Sequence, residues 1–416
     1  MHKIIINGGK KLEGEVTISG AKNSAVALIP AAILCDEEIT LANVPNISDV
    51  DALEDILKRL NAKIKRKKNG ELHISSSSII NKKLDKRASK KLRASYYFMG
   101  ALLGKYKKCE MCFPGGCSIG TRPIDLHLKG FEALGATVKE KGDIYTIEAE
   151  ELKGAKIYLD FASVGATINI MYAAVRAEGT TVISNAAKEP EIVNVATFLN
   201  NMGAKITGAG TKRIKIEGVK HLHSCFHEVI PDRIEAGTFE IIGAACSDRL
   251  KINNIIPEHL EALHNKLREM KVNITVEDDN AVVIESGNLR ATKITTEVYP
   301  GFPTDLQQVI ATLLTQANGE SEIHETIYEN RFQNLYELKK MGAKVKVDGD
   351  RAVIKGKTEL TGTEVYATDL RAGAGLIVAG LLAEGTTVID NADLILRGYE
   401  GIIQKLRAVG ADITLK

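Results

Sequence analysis

The chain has 416 residues, which is too long for one ordinary hydrophobic core, and we therefore expect two domains. Its composition, 44% hydrophobic and 26% charged residues, is typical of globular proteins, and a net charge of +2 is too small to indicate a nucleic-acid partner. No apolar run reaches the ~20 residues that a membrane span needs, and the start "MHKIIINGGKKLEGEV" lacks the apolar run of a signal peptide. We therefore expect a cytoplasmic protein without a membrane partner.

An internal repeat organises the chain. In six places an amphipathic helix pattern runs into a small-residue turn and then a strand, as in "FEALGATVK" and "LKKMGAKVK". Glycine after the helix suits a left-handed C-terminal cap. The endings recur roughly every 70 residues, at Leu60, Leu134, Met202, Met270, Met341 and Val409.

A second repeated phrase precedes most of these endings and follows a helix rich in small apolar residues. It reads "AEGTTVISNA" in one repeat and "AEGTTVIDNA" in another. The preceding helices are apolar nearly all round, so we expect them inside and the sheets outside. The sequence therefore predicts an α/β fold of two pseudo-threefold, inside-out α/β domains, built from six βαβαββ-type repeats.

The first candidate site lies in "SGAKNSAVAL", where a strand leads into a helix whose first turn carries Lys22, Asn23 and Ser24. Helix N-termini present unpaired backbone N–H groups and a positive dipole end, and Lys22 adds a full charge, so this turn is suited to binding an anion. Plain capping of the helix by Asn23 or Ser24 is an equal alternative.

The second candidate site is "FPGGCSIGTRPIDLHLKGFEALGA", which carries Cys117 after two glycines. A thiol on such a loop is presented to its surroundings, and Arg122 nearby would lower its pKa from ~8.5. The alternative is an inert thiol in a turn. Upstream, Cys109 and Cys112 form a lone C-x-x-C. A zinc site is disfavoured because a structural site needs two more ligands. A redox role for the pair is no more strongly indicated.

The third candidate site is "YPGFPTDLQQ", where Asp305 begins a helix after a turn with two prolines. Asp305 can be a simple helix-start charge, or a general base if a substrate hydroxyl comes within hydrogen-bond reach. Arg331, Arg371 and Arg397 follow at equivalent points of successive repeats. Because the chain otherwise prefers lysine, arginines in such places indicate bidentate recognition of an anion.

These phrases together resemble the UDP-N-acetylglucosamine 1-carboxyvinyltransferases, the enolpyruvyl transferases of peptidoglycan synthesis, which share their architecture with EPSP synthase. The match runs in order along essentially the whole chain, through "GAKNSA", "RASYYFMGALL", "PGGCSIGTRPIDLHL", "SVGATINIM", "NAAKEPEI", "VIPDRIEAGTF", "YPGFPTDLQ", "ENRF", "ATDLRA" and "RGYE". The PGGC and DRIEAGTF phrases are the most specific, and the shikimate-3-phosphate enzymes of the wider family lack the cysteine loop.

The resemblance implies a reaction and a domain division. The enolpyruvyl group of phosphoenolpyruvate would move to the 3′-hydroxyl of UDP-N-acetylglucosamine with release of phosphate, by addition and elimination. This is the first committed step of cell-wall peptidoglycan synthesis, a process tied to cell shape and division. The family's fold implies one domain of residues 1–20 with 230–416, another of residues 21–229 carrying the Cys117 loop as a lid, and an active site in the cleft between them.

The resemblance also implies roles for single residues. The implied catalytic residues are Cys117, Lys22, Asp305 and Arg397, with Cys117 as general acid and Asp305 accepting the sugar proton. Phosphoenolpyruvate would be held by Lys22, Asn23, Arg122, Arg331, Arg371 and Arg397. The residues that would line the UDP-sugar site are Asn23, Arg93, Arg122, Pro123, Ile124, Asp125, Leu126, Ser163, Val164, Gly165, Asp305 and Ile327.

Neither a metal nor a cofactor is implied. The epoxide fosfomycin, which mimics phosphoenolpyruvate, is expected to alkylate Cys117. One departure from the family pattern is Phe161, which stands where some members have a lysine near the nucleotide. The alternatives are an enolpyruvyl transferase for another acceptor, a non-catalytic paralogue that binds UDP-sugar, and, as the weakest, a metal-binding protein built on the three neighbouring cysteines.

Overall fold

The computed structural model describes residues 2–84, 86, 89, 92–112, 123–284 and 287–416. These residues divide into two compact units. The terminal unit combines the chain up to Ser19 with Pro231–Lys416, and the central unit runs from Gly20 to Ile230. Each unit has its own hydrophobic core. None of the described helices is both long and apolar enough to cross a bilayer.

Buried helices form the interior of each unit. Nearly all their side chains are inaccessible, as the small apolar residues of these segments predict. In the central unit they are Lys22–Ala31, Tyr97–Tyr106 and Val164–Ala174, and in the terminal unit Arg233–Cys246, Thr304–Leu314 and Leu370–Leu382. Glycine permits their close approach: a Cβ on Gly375 would lie 2.6 Å from the carbonyl oxygen of Gln308 on the neighbouring helix.

A second set of helices is amphipathic, with one buried face. In Ser48–Arg59, for example, Val50, Leu53 and Leu57 are fully buried while the lysine and arginine of the last turn are accessible. The set comprises Ser48–Arg59, Asp125–Ala133, Pro190–Asn201, Glu261–Glu269, Gln333–Lys340 and Ile402–Ala408. Short helical segments whose bounds lie within the described residues are Ala32–Leu34, Arg93–Tyr96, Pro257–His259 and Asp393–Leu396.

The left-handed helix ends predicted where glycine follows the helix are confirmed, and the two repeats without that glycine have the same conformation. The residue after each predicted ending has a positive φ, between 66° and 101°. These residues are Asn61, Gly135, Gly203, Lys271, Gly342 and Gly410. Asparagine and lysine therefore adopt at two ends the backbone conformation that glycine adopts at four.

The strands form small sheets that lie outside the helices, three in the described part of each unit. In the central unit the first sheet has the strand order Phe226–Glu228, Glu38–Ala42, Leu72–Ser75 and Lys63–Arg66. The second has the order Lys205–Thr207, Arg213–Glu217, Thr180–Ser184 and Lys156–Tyr158. The third has the order Lys108–Cys112, Ile144–Glu148 and Thr137–Lys141. In the terminal unit the first sheet has the strand order Glu364–Tyr366, Thr386–Asp390, Ile4–Asn7 and Asp412–Leu415. The second has the order Asn273–Val276, Asn280–Ile284, Ser247–Asn253 and Leu12–Thr17. The third has the order Lys293–Thr295, Gly319–His324, Arg351–Gly356 and Lys344–Asp348.

One sheet shows how the repeat closes on itself. Thr180–Ser184 pairs in parallel with Lys156–Tyr158, so that Ile183 lies opposite Ile157. It also pairs antiparallel with Arg213–Glu217. A parallel pair needs a crossover connection, and the buried helix Val164–Ala174 provides it. Because alternate strand residues face the helices, the repeat places helices inside and sheets outside, and the predicted inside-out α/β fold is confirmed.

Candidate active site

Asp305 receives a guanidinium group on each of its carboxylate oxygens. Arg331 donates from Nη2 to Oδ1 at 2.8 Å, and Arg371 donates from Nη2 to Oδ2 at 3.2 Å. The Asp305 side chain is 28% exposed, whereas those of the two arginines are 3% and 4% exposed. The structure therefore brings these three predicted residues together, with the carboxylate at the accessible side of the cluster.

Local structure places each member of this cluster. The helix Thr304–Leu314 begins directly after the extended Pro303, so Asp305 lies in its first turn as predicted. Arg371 lies in the first turn of Leu370–Leu382, where the Asp369 carboxylate accepts its backbone N–H at 2.9 Å. The guanidinium of Arg331 lies over the Tyr328 ring, 5.5 Å from its centre.

The two arginines retain unsatisfied donors. Burial works against the charge of Arg371, but Asp305, Tyr399 and Asp232 together outweigh it, and the pKa of Arg371 is raised above its ordinary value. Among the described residues, Nη1 of Arg371 and Nε of Arg331 have no hydrogen-bond partner. A buried guanidinium nitrogen without an acceptor is costly, and a carboxylate or phosphate is its preferred partner.

The other predicted residues of the terminal unit lie on adjoining segments. Ile327 is half-buried, and its backbone N–H donates to the Glu325 carboxylate at 2.9 Å. Arg397 is half-buried and follows the short helix Asp393–Leu396. Two residues later, the ring of Tyr399 lies 5.3 Å from the Arg371 guanidinium.

Lys22 is the first residue of its helix, and it faces an acid. Its Nζ lies 3.1 Å from Asp49 Oδ2, with the two side chains 16% and 5% exposed. The capping alternative for Asn23 and Ser24 is wrong, because the helix begins at Lys22 after Ala21 and has no side-chain cap. Ser24 instead donates its hydroxyl to Asn194, and Asn23 is half-buried.

A second group in the central unit gathers three predicted segments around His127. A Cβ on Gly165 would lie 2.9 Å from the His127 ring, and Arg93 is close enough to affect the titration of this histidine. Ile124 is buried, Leu126 is half-buried, and Pro123 and Asp125 are exposed at the start of Asp125–Ala133. Ser163 caps the helix Val164–Ala174 by accepting from the Ala166 N–H at 3.3 Å.

His127 itself is neutral in the folded protein. Burial, and secondarily the charge of Arg93, lowers its pKa to about 3. Its Nδ1 is 2.8 Å from the Asn169 amide nitrogen, which donates to it, and Asn169 Oδ1 accepts the backbone N–H of Gly100 at 2.8 Å. This chain of hydrogen bonds connects the buried helices of the central unit to the segment that carries Pro123–Leu126.

Two predicted residues, Cys117 and Arg122, lie outside the described residues. Their upstream neighbours Cys109 and Cys112 are both buried on the strand Lys108–Cys112. Residues three apart on a strand point to opposite faces of the sheet, so these two thiols cannot share a metal ion or form a disulfide with each other. Burial also raises the pKa of Cys109 to about 12, which makes it an unreactive thiol.

Comparison with known proteins identifies the family. The family model for EPSP synthase (3-phosphoshikimate 1-carboxyvinyltransferase) matches residues 6–406. A UDP-N-acetylglucosamine 1-carboxyvinyltransferase 2 from Listeria monocytogenes is 56% identical over 413 residues, which is 99% of this chain and 97% of that protein. Another from Bacillus cereus is 53% identical over 414 residues, 99% of this chain and 96% of that protein. The chain belongs to the EPSP synthase family.

Solved structures of enolpyruvyl transferases have the same fold. NikO, an enolpyruvyl transferase from Streptomyces tendae, matches with a TM-score of 0.92 and 26% identity, over 100% of this chain and 99% of that one. EPSP synthase from Acinetobacter baumannii matches with a TM-score of 0.79 and 19% identity over 100% of both chains, which speaks for the fold alone.

Several residues that support the site in this EPSP synthase family member were not predicted. Asp49 faces Lys22, Asn169 orients His127, Glu325 holds the Ile327 segment, and Tyr399 underlies Arg371. Asp49 carried a weak signal as an acid in the first turn of Ser48–Arg59. Phe161, which stands where some family members have a lysine, is 50% exposed, so its side chain is accessible to a ligand.

Proposed function

We propose that this protein transfers the enolpyruvyl group of phosphoenolpyruvate to the 3′-hydroxyl of UDP-N-acetylglucosamine and releases phosphate. This would be the first committed step of peptidoglycan synthesis. Relatives named UDP-N-acetylglucosamine 1-carboxyvinyltransferase 2, which match this chain over 99% of its length, support the reaction and the acceptor. The observation that carries the proposal is the cluster of Asp305, Arg331 and Arg371, because it combines a candidate base with cations suited to an anionic substrate.

Phosphoenolpyruvate carries a carboxylate beside a phosphate, and the proposed binding residues are cationic or polar. The unsatisfied nitrogens of Arg331 and Arg371 support this assignment, since an anion would complete their hydrogen bonds. Lys22, at a helix N-terminus, adds charge where the helix dipole also favours an anion. The full proposed set is Lys22, Asn23, Arg122, Arg331, Arg371 and Arg397.

The UDP-sugar is proposed to bind residues that begin two helices of the central unit. The first N–H groups of a helix lack intrahelical acceptors and are suited to a diphosphate. Ser163–Gly165 and Pro123–Leu126 both lie at such a start. Arg93, which is close enough to His127 to affect its pKa, adds a positive charge, and the proposed set is completed by Asn23, Arg122, Asp305 and Ile327.

The proposed mechanism is addition followed by elimination. Asp305 takes the proton of the 3′-hydroxyl, the sugar oxygen forms a bond to C2 of phosphoenolpyruvate, and Cys117 gives a proton to C3. The C2–O bond to phosphate then breaks as the phosphate takes up the proton from Asp305, a C3 proton returns to the Cys117 thiolate, and the double bond is restored in the product. Hydrogen bonds from two arginines fix the direction of the Asp305 carboxylate, the group that is proposed to act as the base.

Further expectations belong to the same proposal. Residues 1–20 with 230–416 would act as one functional domain and residues 21–229 as the other. Fosfomycin would alkylate Cys117, and an unmodified Cys117 after incubation with the drug would count against this. The protein would act in the cytoplasm.

The test is phosphate release from phosphoenolpyruvate with UDP-N-acetylglucosamine as acceptor and, separately, with shikimate 3-phosphate. The Cys117→Ser variant is assayed in parallel. Turnover with the UDP-sugar alone, lost in the variant, is the expected result. Turnover with shikimate 3-phosphate alone would overturn the proposed acceptor, and turnover that survives in the variant would remove Cys117 from the chemistry.

A further inference from the structure

Glu325 is a buried carboxylate that accepts hydrogen bonds from two directions. It is 3% exposed and directly follows the strand Gly319–His324. Its Oε1 accepts from the Thr296 hydroxyl at 2.9 Å and from the backbone N–H groups of Ile327 and Tyr328 at 2.9 and 3.3 Å. Its Oε2 accepts from the Thr304 hydroxyl at 2.9 Å. A carboxylate is the side chain with enough lone pairs to accept all four of these bonds.

Three of these donors, Thr304, Ile327 and Tyr328, belong to the segments that carry Asp305 and Arg331. Thr304 is the first residue of the helix Thr304–Leu314 and immediately precedes Asp305. Tyr328 supplies the ring over which the Arg331 guanidinium lies. Nη2 of Arg331 in turn contacts the Thr304 carbonyl oxygen at 3.5 Å, as well as the Asp305 carboxylate. Glu325 thus holds the Asp305 helix with one oxygen and the Arg331 side with the other.

We infer that Glu325 is a positioning residue that fixes Asp305 and Arg331 relative to each other through Thr304 and the Ile327–Tyr328 backbone. The inference rests on the proposed function, in which Asp305 is the base. Glu325 does not itself need to touch substrate. It acts by holding the start of the helix Thr304–Leu314 and the Ile327–Tyr328 loop in a fixed relative position. This matters because a small displacement of a catalytic group lowers the reaction rate strongly.

The most specific variant is Thr304→Val, which removes the hydroxyl that Glu325 holds and keeps the shape of the side chain. We expect kcat to fall about tenfold. Thr304→Ser retains the hydroxyl and should restore the rate.

Thr312→Val is the matched control. Thr312 lies on the same helix, is fully buried, and donates its hydroxyl to the Gly375 carbonyl oxygen at 3.0 Å. Its substitution removes a comparable hydrogen bond two turns away from Asp305. We expect kcat of this variant to stay within about twofold of the wild type, even though the protein loses a buried hydrogen bond.

Variants of Glu325 test the same role directly. In Glu325→Gln the amide oxygen can accept from Thr296, Ile327 and Tyr328, and the amide nitrogen can donate to Thr304, whose hydroxyl can turn to accept. This variant should therefore retain most of the activity. Glu325→Ala should lose more activity than Thr304→Val, since both segments are released.

Amide hydrogen exchange at Ile327 and Tyr328, measured without substrate, separates this inference from the proposed function. We expect slow exchange in the wild type and Glu325→Gln, and faster exchange in Glu325→Ala. A wild type that does not turn over UDP-N-acetylglucosamine would refute the proposed function while the exchange data still test Glu325. The inference would be overturned by wild-type exchange rates in Glu325→Ala or by a wild-type kcat in Thr304→Val. It would also be overturned if Thr304→Val and Thr312→Val lost kcat equally.

Discussion

Asp305 illustrates how a residue with an ordinary structural position acquires a chemical role from its neighbours. In the first turn of a helix, an aspartate commonly interacts with the helix dipole alone. Here each of its oxygens also meets a buried arginine, and the carboxylate remains the accessible member of the three. Its direction is therefore fixed by charged hydrogen bonds, while its exposed side can meet a substrate hydroxyl.

Asp305→Asn should lower kcat with UDP-N-acetylglucosamine by about 10²-fold or more, because an amide cannot take up the sugar proton. The amide keeps the size of the side chain and one acceptor oxygen, so the fold should be kept, but one arginine loses its acceptor and the melting temperature should fall. Steady-state kinetics and a thermal melt check these two expectations. Asp393→Asn, an exposed acid at another helix start, is the control and should keep the wild-type kcat.

Retention of more than a tenth of kcat by Asp305→Asn would contradict the assignment of this residue as the base. A loss of the same size in Asp393→Asn would show that the effect arises from helix starts in general.

His127 is expected to make the fold sensitive to acid. Its pKa is about 3 in the folded protein and ~6.5 in an unfolded chain. As the pH falls from ~6.5 towards 3, the unfolded chain binds a proton that the folded chain does not, so the unfolding free energy decreases by up to about 1.4 kcal/mol per pH unit from this group. Stability from this residue is thus present above ~pH 6.5 and lost below it.

The check is urea unfolding at about pH 7.5 and about pH 4.5 for the wild type, His127→Gln and, as an exposed control, His221→Gln. Glutamine keeps an acceptor for Asn169 but takes up no proton in this range. The loss of stability on acidification should be smaller in His127→Gln than in the wild type and unchanged in His221→Gln. Equal losses in all three proteins would exclude His127 as a cause of acid sensitivity.

At the scale of elements, the left-handed helix ends define the repeat. Every one of the six predicted endings is followed by a residue of positive φ, whether it is glycine, asparagine or lysine. Each turn directs the chain from an amphipathic helix into the next strand, for example from Ile402–Ala408 through Gly410 into Asp412–Leu415. The backbone conformation at this one position therefore determines where the following strand enters its sheet.

Gly410→Ala should lower the unfolding free energy by about 1–2 kcal/mol, the cost of a left-handed conformation for a residue with a Cβ. The φ of Gly410 is +98°, and the nearest atom to an added Cβ is a carbonyl oxygen at 3.8 Å, so the cost is conformational and not a clash. Urea denaturation measures it. Gly287→Ala is the control, because an added Cβ there meets nothing within 4 Å and its φ is outside the left-handed region.

Gly287→Ala should change the unfolding free energy by about 0.5 kcal/mol or less. Equal stability of Gly410→Ala and Gly287→Ala would contradict the view that this helix end requires a glycine-like backbone.

Local patterns in the sequence predicted the elements well, and the contacts between them poorly. The buried helices, the six helix ends and the start of the Asp305 helix all follow from periodicity, small residues and proline, which act within a few residues. Glu325 and Thr304, or His127 and Asn169, are distant in sequence and meet only because the fold brings their segments together. No local pattern distinguishes such residues from ordinary buried polar side chains.

At the scale of the whole molecule, the two chain ends share one sheet. Ile4–Asn7 lies between Thr386–Asp390 and Asp412–Leu415, with Ile4 opposite Ile389 on one side and Leu415 on the other. Both Ile4 and Ile6 are fully buried in the core of the terminal unit. The unit that holds Asp305, Arg331 and Arg371 therefore depends on contacts between residues almost 400 positions apart, such as Asn7 with Thr386, separated by 379.

Ile6→Ala should destabilise the protein by about 2–5 kcal/mol, since it removes a buried side chain from a strand paired on both edges. Hydrogen exchange should accelerate in Thr386–Asp390 and Asp412–Leu415. Ile284→Ala, at an exposed strand end in the same unit, is the control and should cost far less. Unchanged exchange in the two partner strands would show that the N-terminal strand is dispensable for this sheet.

The proposed reaction is tested most directly by the chemical structure of the product. Purified protein is incubated with phosphoenolpyruvate and UDP-N-acetylglucosamine, and the product is analysed by mass spectrometry and NMR. The account predicts UDP-N-acetylglucosamine with an enolpyruvyl ether on its 3′-oxygen, formed in equal amount with phosphate. Unchanged UDP-N-acetylglucosamine alongside released phosphate, or an enolpyruvyl group on another oxygen, would contradict it.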